Sequence, residues 1–93
     1  MEKILIMDDD ESIRESLVNL LRRWKYRTIS AENGRQGIDL ALSENPDLII
    51  SDIRMPKMNG LEVLDELQEL KLPIRVIIIT AHDDMSTTIQ AMK

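Results

Sequence analysis

Short unbroken apolar runs alternate along this chain with longer stretches in which apolar residues recur every three or four positions. Residues 3–7 read as a strand. Between Glu11 and Trp24, the residues Ile13, Leu17, Leu20, Leu21 and Trp24 fall on one face at helical steps, which predicts an amphipathic helix. Residues 27–31 form a weaker strand with β-branched Thr28 and Ile29, broken by Asn33-Gly34. A second helix, with Ile38, Ala41 and Leu42 inward, runs to Leu42 or Ser43. Asn45-Pro46 ends it, because the residue before a proline is pushed out of the α region. Residues 47–51 are apolar without alternation, as in a strand covered on both faces. A loop over residues 53–60, with Pro56 and Gly60, leads to a third helix marked by Leu61, Leu64, Leu67 and Leu70. Beyond Pro73, residues 74–80 make a fourth strand, and Asp83 or Asp84 is placed to cap a last helix running to Lys93.

Strands alternating with helices over short connections predict right-handed βαβ units and a parallel sheet, hence an α/β fold. The carboxyl ends of such strands line one edge, and open α/β sheets bind their ligands in the crevice beyond it. Three of the apolar runs end in reactive groups. Ile4-Leu5-Ile6-Met7 leads into Asp8-Asp9, Leu48-Ile49-Ile50-Ser51 leads into Asp52, and Val76-Ile77-Ile78-Ile79 leads into Thr80. Each has a plain alternative: Asp8-Asp9-Asp10 can be a solvated turn whose last member caps the next helix, Asp52 a turn residue, and Thr80 a common strand-end residue. Taken together the acids argue for more, since clustered like charges repel unless something positive lies among them. Mg²⁺ suits the donor set, because it accepts a few carboxylates and keeps water and phosphate oxygens as its other ligands. One carboxylate then remains as a nucleophile towards phosphorus.

Composition narrows the classes. Ninety-three residues allow one small domain. The absence of cysteine excludes disulfides and thiolate sites, and fits a reducing compartment. A net charge of −5 argues against direct nucleic-acid binding by this segment. No apolar stretch approaches a membrane span, and the start lacks the pattern of a secretory signal, so a cytoplasmic location is expected. Gly34, Gly37 and Gly60 make neither a dinucleotide fingerprint nor a Walker loop. Trp24 and Tyr26 read as packing residues, the methionines as gap fillers, and His82 as a solvated loop residue with no catalytic role.

The ordered set Asp8-Asp9, then Ser51-Asp52-Ile53-Arg54-Met55-Pro56-Lys57-Met58-Asn59-Gly60, then Ile79-Thr80-Ala81 closely resembles the receiver domains of two-component response regulators. The resemblance covers the whole chain and implies a flavodoxin-like doubly wound sheet with strand order 2-1-3-4. It implies that Asp52 accepts a phosphoryl group from the phosphohistidine of a sensor histidine kinase. Asp9 would bind Mg²⁺ directly, Asp8 largely through water, and the Arg54 main-chain carbonyl would be a further ligand beside Asp52. Thr80 would be the switch hydroxyl, with Ala81 leaving it room, while positions 54 and 82 tune how fast the phosphoryl group is lost. Such a domain is no free-standing enzyme: intact, it catalyses its own phosphorylation and slow dephosphorylation. The segments Asp52-Ile53-Arg54-Met55-Pro56 and Thr80-Ala81-His82-Asp83-Asp84-Met85 are most similar to receivers of nitrogen-regulation-type, σ54-dependent activators, which implies downstream ATPase and DNA-binding domains.

Two departures qualify the match. Lys57 stands where the family has a loop glycine. The family's lysine before a proline, at the end of a fifth strand, has no counterpart, since Lys93 falls within the expected fourth helix. Residues 1–93 are therefore expected to be a C-terminally incomplete receiver, lacking the fifth strand and fifth helix. Gln90-Ala91-Met92-Lys93 carries no stop signal, so the natural chain is expected to continue. The edge of residues 74–80 would then favour a homodimer or strand exchange. Two rivals stand beside the switch: a degenerate or truncated receiver acting as an interaction module without phosphorylation, and an aspartate-nucleophile phosphohydrolase. The hydrolase pattern places a second acid two residues after the nucleophile, where this chain has Arg54.

Overall fold

The computed structural model describes residues 2–53, 55, 58–80 and 88–92, with Thr80 and the last five described through their backbone alone. Its elements run β1 (Lys3–Met7), α1 (Glu11–Arg23), β2 (Arg27–Ala31), α2 (Gly34–Glu44), β3 (Leu48–Asp52), α3 (Gly60–Glu69), β4 (Arg75–Thr80) and β5 (Thr88–Met92). They build one sheet in the order β2-β1-β3-β4-β5. The first four strands are parallel, in the order 2-1-3-4, as the resemblance implied.

Residues 88–92 depart from expectation. They form a strand antiparallel to β4, from Val76 opposite Met92 to Thr80 opposite Thr88, where a helix was expected. The edge of β4 presents unpaired peptide groups that need partners. Thr88 and Ile89 are β-branched and suit that pairing better than a helix. The edge expected to recruit another chain is thus taken by the chain's own residues.

Local signals set the helix ends. Asp10 caps α1, its carboxylate accepting from the N–H groups of Ser12 and Ile13 at 2.9 and 3.1 Å. Asn33 caps α2 by accepting from the Gln36 N–H, and Asn45 closes that helix in the left-handed region at φ 50°. Asn59 and Glu62 form a reciprocal capping box at the start of α3, each side chain accepting from the other's N–H at 2.9 Å.

Alternation along the strands divides the core between two faces. Leu5, Met7, Ile49, Val76 and Ile78 meet Ile38 and Ala41 of α2 and Val63, Leu64 and Leu67 of α3. On the other face Ile4 and Ile6 meet Leu21 of α1, with Leu17, Val18, Tyr26, Leu48 and Ile50 partly buried around them. Three helix faces therefore turn from their expected positions. In α3 the buried row is Val63, Leu64 and Leu67, leaving Leu61 and Leu70 exposed; in α2 Leu42 is exposed. In α1 only Leu21 is fully buried, while Ile13, Leu20 and Trp24 are exposed, Trp24 at 62%. Trp24 is thus no packing residue, whereas Tyr26 is. Met7 and Met55 fill the core as expected.

Candidate metal and phosphoryl site

β1 and β3 are hydrogen-bonded neighbours, with Met7 opposite Ser51, so the residues that follow emerge side by side at the carboxyl edge of the sheet. Asp8, Asp9 and Asp52 each offer a carboxylate oxygen there, and these oxygens lie within 4.8 Å of one another. Pairing of Asp52 with Ile79 places the backbone of Thr80 one residue beyond that register. The Thr80 side chain, Arg54, Lys57, Ala81 and His82 lie outside the described residues, and so do Asp83 and Asp84.

The three acids differ in surroundings. Asp8 is 6% exposed, Asp9 is exposed and Asp52 is half-buried. Burial pushes the Asp8 carboxyl above its ordinary value of 3.8. A hydrogen bond from the Asp10 N–H at 2.9 Å opposes that rise, while the like charges of Asp52, Asp9 and Asp10 add to it. A divalent cation among the three carboxylates removes both the repulsion and the burial cost, so the donor set fits a hard ion such as Mg²⁺. Asp10 stands apart from the other acids and caps α1, as expected for the last member of the run.

Backbone contacts hold the acids in place. The Asp8 N–H donates to the Ala31 carbonyl at 3.2 Å, and the Asp8 carbonyl accepts from the Arg14 guanidinium at 2.7 Å. Behind Asp52, the Ser51 hydroxyl donates to the Asp52 carbonyl at 3.0 Å and the Gly60 N–H donates to the Ile53 carbonyl at 2.9 Å. A Cβ at Gly60 would lie 2.7 Å from the Asp52 carbonyl oxygen, so α3 can begin this close to the nucleophile candidate only with glycine. In sequence, Gly60 stands as the last residue of the expected 53–60 loop. The recoverable signal was Asn59-x-x-Glu62 directly around it, a capping box that places Gly60 at the first position of a helix.

Comparison with known proteins agrees with this geometry. Residues 4–93 match the model of the response regulator receiver domain family. The chain is 40% identical over 84 residues to sporulation initiation phosphotransferase F of Bacillus subtilis, covering 90% of this chain and 68% of that one. It is also 40% identical over 90 residues to the transcriptional regulatory protein ZraR of Klebsiella oxytoca, of which it spans 20%. Among solved structures, the response regulator protein TrrA of Thermotoga maritima, in complex with Mg²⁺ and BeF, superposes with a TM-score of 0.84. That match has 40% identity and covers 89% of this chain and 72% of the other. The chain belongs to the response regulator receiver domain family. Among the described residues, no helix is long and apolar enough to cross a membrane.

Proposed function

We propose that this chain is a phosphorylation-controlled signalling switch in which Asp52 accepts a phosphoryl group from a sensor histidine kinase. The observation that carries the reading is the convergence of the Asp8, Asp9 and Asp52 carboxylate oxygens within 4.8 Å at the carboxyl edge of a parallel sheet. Asp8, Asp9, Asp52 and the Arg54 main-chain carbonyl would hold Mg²⁺. When bound, the ion neutralises charge on the carboxylates and on the phosphoryl oxygens.

The chain's own residues supply alignment and the nucleophile. An Asp52 oxygen attacks phosphorus in line with the leaving nitrogen. A carboxylate O–P bond forms as the N–P bond breaks, and the histidine imidazole keeps the electron pair. Ser51 and Gly60 restrain the Asp52 backbone during this displacement. Thr80 is assigned the switch hydroxyl on its position one step beyond the Asp52–Ile79 register. The output we propose is transcriptional, through ATPase and DNA-binding domains of the σ54-dependent type. Similarity to ZraR supports that assignment, and equal identity to the sporulation phosphotransferase makes it a narrower claim than the receiver itself. Action in the cytoplasm follows from the kinase partner.

The test is intact-mass spectrometry after incubation with acetyl phosphate and Mg²⁺. A single phosphoryl adduct, absent in Asp52→Asn and absent in EDTA, is the expected result. An unmodified chain at saturating reagents favours a pure interaction module, and continuous turnover of unrelated phosphate esters favours a hydrolase. Either outcome overturns the switch.

A further inference from the structure

Helix α2 carries two buried glycines one turn apart, Gly34 and Gly37. Neither has a positive φ, so the backbone there is one that any residue can adopt. Glycine is also a poor helix former, and a reason for it must lie in space rather than in conformation. A Cβ at Gly37 would stand 2.3 Å from Met7 Cε and 2.5 Å from Met7 Sδ. One at Gly34 would stand 2.9 Å from the Cβ, Cγ and carbonyl oxygen of Met58. Both methionines belong to segments that present the acids. Met7 is the last residue of β1, directly before Asp8, and is 1% exposed, so its side chain can make room for a new methyl group only by repacking inside the core. Met58 lies on the connection from Asp52 to α3, two residues before Gly60.

We propose that Gly34 and Gly37 are positioning residues for the carboxylate cluster. Their missing side chains let Met7 and Met58 seat against one helix, so that α2 sets the separation between the end of β1 and the segment after β3. The inference rests on the reading of the cluster as a Mg²⁺ site, which neither glycine touches. It predicts that adding a methyl group to α2 weakens the metal site from a distance, and that shortening the facing methionine restores it.

The experiment is a four-member cycle made of the parent chain, Met7→Val, Gly37→Ala and the double variant. Mg²⁺ affinity is read from backbone amide shifts of Asp8, Asp9 and Asp52, and stability from urea unfolding in EDTA. Gly37→Ala is expected to weaken Mg²⁺ binding about tenfold, the scale seen when a group supporting a metal ligand is disturbed. In the double variant the shorter valine side chain lacks the sulfur and terminal methyl that meet the new Cβ. Its affinity is expected to return to within about twofold of the parent. Unchanged Mg²⁺ affinity in Gly37→Ala, whatever its stability, overturns the inference. So does a folded double variant that binds no better than Gly37→Ala. If Gly37→Ala fails to fold, the double variant decides alone: near-parental affinity supports the inference and weak binding overturns it. A parent that binds no Mg²⁺, or binds it equally well as Asp9→Asn, overturns the metal reading and this inference with it.

Discussion

The two faces of the sheet are built to different standards. Towards α2 and α3, strand residues Leu5, Met7, Ile49, Val76 and Ile78 are all essentially inaccessible, and the helices above them present glycine, alanine and valine at close range. Towards α1, Ile4 and Ile6 are buried, but Leu48, Ile50, Ile77 and Ile79 are only half-buried. The helix on that side leaves Ile13, Leu20 and Trp24 in solvent. Apolar burial stabilises in proportion to area removed from water, so the first face carries most of the folding free energy. It also carries the precision, since close packing transmits small displacements. The acidic cluster lies where β1 and β3 leave this sheet, with its backbone restrained from the tighter face through Gly60 and from α1 through Arg14.

Substitutions that remove equal side chains from the two faces test the contrast most strongly. Ile49→Ala should cost about 3 kcal/mol in urea unfolding, as for a fully buried aliphatic truncated to alanine. Ile77→Ala, half-buried at the outset, should cost about 1 kcal/mol. Equal costs would break the comparison. Gly60→Ala should destabilise by about 2 kcal/mol, because the new methyl group meets the Asp52 backbone rather than a yielding side chain, and Mg²⁺ affinity should fall with it.

A smaller effect is expected from Asp8→Asn, with a sign that depends on metal and pH. The Asp8 pKa is raised in the folded state, so its contribution is fully present below the ordinary value of 3.8 and lost as pH rises through the folded value. In EDTA at neutral pH, Asp8→Asn should therefore melt higher than the parent, with the gap closing as pH falls towards 3.8. Saturating Mg²⁺ should reverse the order. A parent that outlasts the variant in EDTA at neutral pH would contradict the electrostatic account. Smallest of all, Trp24→Ser on the open face should change stability by no more than about 0.5 kcal/mol, despite removing the largest side chain in the protein.

Much of this was legible from residues alone, for identifiable reasons. The apolar runs over Ile4–Met7, Leu48–Ser51 and Val76–Ile79 read as strands because both faces of a parallel sheet are covered and no alternation interrupts them. The acids were legible as a group because each follows such a run. Helix faces were harder to read. A stripe of leucines in α3 suggested Leu61 and Leu70 inward, but Val63 takes the buried place, since packing against β4 and α2 selects the row and not the residue type. Residues 88–92 carry too few apolar positions to distinguish a helix turn from a strand, and the open edge of β4 decided the matter. Gly34 and Gly37 could be tested in sequence only against phosphate-loop motifs. Their relation to Met58 and Met7 depends on pairings between distant segments that no spacing rule encodes.

The pairing of Met7 with Ser51 has one more consequence. Asp8 and Asp52 are distant in the chain, so an unfolded polypeptide holds no three-acid pocket, only the Asp8-Asp9-Asp10 run and a remote Asp52. A cation that binds the assembled cluster therefore acts as a ligand of the native state alone. At ten times its dissociation constant it would add about 1.4 kcal/mol to folding stability. Under the proposed Mg²⁺ reading, magnesium supply would serve as a gauge of β1–β3 closure, because only the folded domain holds the three acids together.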